Sequence, residues 1–294
     1  MTDLMTGLSH SPVLCDGGMG TQLLEAGLPT TTAGEAWNLD HPDAIEQIHR
    51  AYHGAGCRII TTNTFGGSSA ALARHGLQAK ADQINEAAAR LARRVVGDDG
   101  WVAGNLGPFG GFLEPLGDDK PDDVKAMFAR QAAALKRGGA DVILVETMAD
   151  PGEAALAIAA ARELDDEPII AAFAFEKGPG QAFATMMGAD VPTALTAARD
   201  AGADIVGANC GTGLGVEDYR HLAEQLLAAA GDAPVIVQPN AGAPQVTAQG
   251  TVYAATPDDM AELARDLTEM GVRIVGGCCG TTPRHLAAMA GQMT

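Results

Sequence analysis

Basic residues are scarce in this chain: 19 Lys and Arg face 37 Asp and Glu, a formal charge of −18 over 294 residues. No Lys/Arg-rich run is available to neutralise phosphates, which argues against nucleic acid as a partner. Long apolar runs are missing too, and none approaches the roughly 18–20 residues of a membrane span. Met1-Thr2-Asp3-Leu4-Met5 lacks the positive flank and apolar stretch of a secretion signal, so the expectation is a cytoplasmic protein with no membrane partner. Aromatic residues amount to 4%. Of the lysines only Lys177 falls near an expected strand end, which disfavours Schiff-base chemistry. The histidines lie in expected helices, at helix edges or near the N-terminus with no obvious partner acid, so a Ser/His/Asp arrangement has no support. Five cysteines (Cys15, Cys57, Cys210, Cys278, Cys279) in a large chain without a secretion signal do not suggest a disulfide framework. Metal binding or reactive thiols become the questions to ask.

What the sequence has is 47% hydrophobic residues, ample for a large core. Eight short, β-branched-rich runs recur: Val13 to Cys15, Arg58 to Thr62, Val102 to Gly104, Val142 to Glu146, Ile169 to Phe173, Ile205 to Ala208, Val235 to Gln238 and Arg273 to Gly276. Helical spacing fills the intervals. Pro42 opens one helix with Ile45, Ile48 and Tyr52 on one face, Pro121 opens another that stops at Gly138-Gly139, and Thr256-Pro257 and Thr282-Pro283 are two further starts. Strands alternating with helices predict a parallel sheet. The second, fourth, sixth and eighth strands share an entry signature, a glycine followed two residues later by a polar residue and two β-branched ones (Gly56, Gly139, Gly202, Gly271). A signature on alternate strands fits a closed (β/α)8 TIM barrel better than an open doubly wound sheet. With no break in composition, residues 1–294 read as one domain. Two connections are long, Asn105 to Lys120 and Pro239 to Ala255, and both follow strand C-termini, where barrel active sites are built.

Cys210 follows the sixth strand, and Cys278-Cys279 follow the eighth, among glycines that permit close approach. Three thiolates converging on that rim would make a soft zinc site with an open fourth position, the pattern of a catalytic metal. The competing reading is small buried apolar residues, which suits Cys15 and Cys57. Glu146 ends the fourth strand, where a carboxylate can hold a ligand ammonium or be a solvated surface acid. Asp16 enters the turn Asp16-Gly17-Gly18, whose backbone N–H groups could meet a carboxylate, although an Asx turn or helix cap accounts for it as well. Asn63, in Thr62-Asn63-Thr64, is a polar contact or, more simply, turn chemistry. Trp37, Phe65, Phe109 and Phe112 could line the mouth or pack within loops.

Taken together, Asp16-Gly17-Gly18-Met19-Gly20-Thr21, Thr62-Asn63-Thr64-Phe65, Gly107-Pro108, Glu146-Thr147, Gly207-Ala208-Asn209-Cys210, Gln238-Pro239-Asn240-Ala241-Gly242 and Gly276-Gly277-Cys278-Cys279-Gly280 resemble the zinc-dependent homocysteine S-methyltransferases, in family order and over essentially the whole chain. The resemblance implies Zn²⁺ on Cys210, Cys278 and Cys279, methionine as product, and homocysteine gripped by Glu146 and the Asp16-Gly17 turn. The family divides over its methyl donor: betaine, sulfonium compounds, or methylcobalamin on another module. Gly66 and Thr147 stand where the betaine-using branch has tyrosines, and the segments around Cys210 and Asn240 look more like the homocysteine module of cobalamin-dependent methionine synthase. A corrinoid protein as partner, another thiol or selenol as acceptor, and a homo-oligomer (compatible with Ala- and Leu-rich outer helices) all stay open at this point.

Overall fold

Each β-branched run becomes a parallel strand in the computed structural model, which describes residues 3–247 and 250–293. The strands are β1 (Val13–Leu14), β2 (Ile59–Thr61), β3 (Trp101–Leu106), β4 (Val142–Met148), β5 (Ile169–Phe173), β6 (Ile205–Asn209), β7 (Val235–Gln238) and β8 (Ile274–Val275). They pair in chain order around a ring. β8 pairs with β1 through Val13 and Ile274, and the Cys15–Ile59 bridge joins β1 to β2. The expected (β/α)8 barrel is the observed one.

Period-two alternation divides the strand residues into two cores. Val13, Ile59, Ala103, Val142, Leu144, Ile170, Ala172, Ile205, Ile236 and Ile274 pack together inside the barrel. Ile60, Val102, Ile143, Val145, Val206 and Val237 face outward to the helices. The helices begin where the caps predict: Pro42–Gly54, Pro121–Arg137, Pro257–Met270 behind the Thr256–Asp259 capping box, and Pro283–Ala290.

The repeated signature has a physical basis. Gly56, Gly139, Gly202 and Gly271 all take left-handed angles, φ between 100° and 110°, to turn the chain from a helix into the next strand. The following polar residue then ties down a neighbouring element. Asp141 accepts the Val102 N–H of β3 at 2.7 Å and Asp204 the Ile169 N–H of β5 at 2.9 Å.

Two features carry no strong sequence signature. A short helix, Leu4–His10, capped by Asp3, sets Leu4 and Leu8 into the interior cluster and closes the barrel floor. Arg273, entering β8, holds this helix by donating from Nε to the Leu8 carbonyl at 2.8 Å. A hairpin of Phe175–Lys177 and Phe183–Thr185 follows β5, while the long connection after β7 contains the hairpin Pro244–Thr247 with Gly250–Tyr253.

Candidate functional site

Near the C-terminal ends of the strands, the inward positions turn polar. Thr61, Asn105, Glu146, Asn209 and Gln238 each stand two residues beyond an inward residue on the same strand: Ile59, Ala103, Leu144, Gly207 and Ile236. Cys15 and Asp16 complete this upper layer after β1. Most of these side chains are buried, and Glu146 is partly open to the mouth.

The three rim cysteines converge. One sulfur each from Cys210, Cys278 and Cys279 lies within 4.8 Å of the other two, and the Cys278 and Cys279 sulfurs are 3.9 Å apart. Three sulfurs each about 2.3 Å from one tetrahedral ion would sit about 3.8 Å apart, so this donor set fits Zn²⁺ with small side-chain adjustments. Protons are shared unequally among them. Hydrogen bonds from the Cys210 and Cys278 thiols, with help from Tyr253, hold the Cys279 thiol well below its usual range, while Cys210 and Cys279, together with burial, push Cys278 up. Three sulfur donors this close together suit a soft cation.

Backbone geometry produces the convergence. Cys210 has φ +56°, which turns its backbone out of the β6 strand conformation. Tyr219, buried on the helix Val216–Ala229, donates its hydroxyl to the Cys210 carbonyl at 2.5 Å and accepts the Asn240 N–H at 3.1 Å. Asn240 continues the brace: its Nδ2 donates to the Gly211 carbonyl at 3.1 Å and its Oδ1 accepts the Cys279 N–H at 3.0 Å. The Asp16-Gly17-Gly18 turn packs beneath. A Cβ on Gly18 would stand 2.6 Å from the Cys278 carbonyl oxygen, so only glycine allows that approach. On the other side the Tyr253 ring lies over Gly280, where a Cβ would strike it.

Beside the thiols, Glu146 receives an amide on each oxygen: Asn105 Nδ2 on Oε1 at 2.5 Å and Asn209 Nδ2 on Oε2 at 3.1 Å. Desolvation, countered in part by the Asn105 hydrogen bond, raises its pKa to about 7. Asp16, also pushed to about 7 by burial, accepts the Thr61 N–H at 2.8 Å and lies 3.6 Å from the Cys15 sulfur. Asn63 is committed elsewhere, its Nδ2 donating to the Gly34 carbonyl and to Asn38. Its neighbours are more informative. Thr62 Oγ1 accepts the Asn105 N–H at 3.0 Å, and Thr64 Oγ1 donates to the Asn105 carbonyl at 2.8 Å. Cys15 and Cys57 are fully buried packing residues, as expected.

A family model described as homocysteine S-methyltransferase matches residues 13–293. The chain belongs to that family. Its three rim cysteines cluster closely enough to hold one ion. Methionine synthase of Mycobacterium tuberculosis is 34% identical over 309 residues, covering 98% of this chain and 25% of that protein. Methionine synthase of Mycobacterium leprae is 34% identical over 305 residues with the same coverage. The chain thus spans about a quarter of the length of these relatives. Among solved structures, the metallated form of the homocysteine methyltransferase MmuM from Escherichia coli superposes with a TM-score of 0.77 at 20% identity, over 96% of each chain. That likeness establishes the shared barrel. No described helix is long and apolar enough to cross a membrane.

Proposed function

We propose that this chain transfers a methyl group to the thiol of homocysteine, forming methionine, at a Zn²⁺ held by Cys210, Cys278 and Cys279. The mutual approach of these three sulfurs within 4.8 Å at the barrel mouth carries the reading. When bound, Zn²⁺ supplies the Lewis acidity that ionises a thiol at neutral pH, where a free thiol is only a few per cent thiolate.

Positioning falls to the protein. Glu146, fixed by two amides, accepts from the α-ammonium of the substrate. In the Asp16-Gly17-Gly18 turn the Asp16 and Gly18 N–H groups are held by the Ile59 and Thr281 carbonyls, which leaves the N–H of the partly open Gly17 for the α-carboxylate, with the Asp16 carboxylate anchored on Thr61. Asn63 serves indirectly, by holding the segment whose threonines fix Asn105. The substrate sulfur attacks the methyl carbon in line: the S–C bond forms as the donor–methyl bond breaks, and the donor leaves with the electron pair. A donor that is already cationic leaves without needing a general acid.

Betaine or a sulfonium compound satisfies that requirement. A second reading, in which the methyl group arrives as methylcobalamin on a separate corrinoid protein, is favoured by the rim itself. Trp37 and Phe109 are buried in packing and present no open face to a quaternary ammonium. Phe65, Phe112, Leu116, Met186 and Val252 are instead exposed, all on connections that follow strand C-termini. Methionine formation from homocysteine with betaine, S-methylmethionine, dimethylsulfoniopropionate or free methylcobalamin alone would select the small-donor reading. No turnover with any of these, and turnover once a methylated corrinoid protein is added, would select the second. Zinc near zero in unchelated protein, with no methionine from any donor, would overturn both.

A further inference from the structure

Asn105 has one hydrogen-bonding atom that the protein leaves unused. Its Nδ2 is on Glu146 and its backbone N–H and carbonyl are held by Thr62 and Thr64, but its Oδ1 is buried without a partner among the described residues. The residue is 3% exposed, so bulk water does not readily satisfy that oxygen. A buried acceptor left unpaired is costly, and such atoms mark places where something else is meant to donate. Oδ1 belongs to the same amide as the Nδ2 that donates to Glu146, so the free oxygen is carried by a group already in contact with the carboxylate.

We propose that Asn105 Oδ1 is a second acceptor for the substrate ammonium, and that Asn209 is the positioning residue that fixes Glu146 opposite it. An alkylammonium presents three N–H donors, and one carboxylate whose two oxygens already take amide hydrogens does not saturate them. The Asn209 amide is fully used. Nδ2 donates to Glu146 Oε2 at 3.1 Å and Thr147 Oγ1 at 2.7 Å, and Oδ1 accepts the Thr147 N–H at 2.7 Å. Strands β4 and β6 are not neighbours, since β5 lies between them, so Asn209 makes this link across the mouth. It also braces Thr147, which holds a left-handed conformation (φ +59°) that non-glycine residues keep only where their surroundings enforce it. The ligand class that follows is a thiol bearing a primary α-ammonium, discriminated from the same thiol without one. This inference rests on Glu146 as the ammonium acceptor.

The test compares homocysteine with 4-mercaptobutanoate, which is homocysteine without its amino group, by calorimetric binding to zinc-loaded protein. Asn105→Leu, close in shape and lacking both amide atoms, is expected to weaken homocysteine by roughly tenfold to a hundredfold, the range of a hydrogen bond to a charged group. The amino-free thiol should change by less than about threefold, with zinc content preserved. Asn209→Ala should move the same ratio in the same direction by a smaller factor, and serves if Asn105→Leu does not fold. Equal losses for both thiols in these variants, or no loss for either, would overturn the proposal. Glu146→Gln separates the levels. If it shifts the ratio while the asparagine variants do not, only this inference fails; if none of the variants shifts it, the reading of Glu146 fails as well.

Discussion

At the floor of the barrel, Leu4 and Leu8 meet Val13, Ile59 and Ile274, whereas two residues further along the same strands or just beyond them the inward positions are Cys15, Thr61 and Gly276. The same step takes β3 from Ala103 to Asn105, β4 from Leu144 to Glu146 and β6 from Gly207 to Asn209. One end is apolar and sealed by a helix; the other is polar, partly open and bears three thiols. The contrast shows how a barrel separates stability from chemistry. Apolar burial below supplies the free energy that lets buried carboxyls and strained backbone persist above.

Cys278→Ala should reduce zinc from about one per chain to below about a tenth and abolish methyl transfer, with circular dichroism unchanged. Retained metal would remove the three-thiolate site. At the floor, Leu8→Ala should cost roughly 2–4 kcal/mol of stability by denaturant unfolding, leaving zinc stoichiometry as it was. A loss of metal in that variant would mean the two ends are mechanically coupled. Glu146→Ala should raise the dissociation constant for homocysteine by roughly tenfold or more, with only a small shift in melting temperature.

A subtler probe is pH. Glu153, 7% exposed, accepts the Phe109 N–H at 2.7 Å, and burial raises its pKa to about 7. Between about 4.5 and 7 the folded protein therefore holds a proton that the unfolded chain has released, so this group's contribution to stability falls as pH rises through that window. Glu153→Gln keeps an acceptor and removes the titration. Relative to the parent, its melting temperature should rise by a few degrees from pH 5 to pH 8, and a constant difference would refute the assignment.

Much of this was legible in the sequence because it is local. β-Branched runs, proline starts and glycine stops specify strands and helices within a few residues, and a cysteine placed just after a strand is thereby on the rim. The supporting residues were not legible in that way. Asn105 and Asn209 find Glu146 at separations of 41 and 63 residues, and Asn240 reaches Cys279 across 39. Nothing near them in the chain signals those partners. Asn63 shows the reverse: a conspicuous polar residue at a strand end whose amide serves Gly34 and Asn38, while the threonines on either side perform the site-related task. The floor helix escaped for a different reason, since seven residues offer too little periodicity to register.

Cys210 closes β6, and the tandem cysteines follow β8, so an ion grasped by all three would clasp the ring across β7. Taking up the metal should then quieten that arc of the molecule. Amide hydrogen exchange of β6 to β8 should slow on loading while the opposite arc, β2 to β4, keeps its rate, which makes the protein's own breathing a gauge of whether its reagent is aboard.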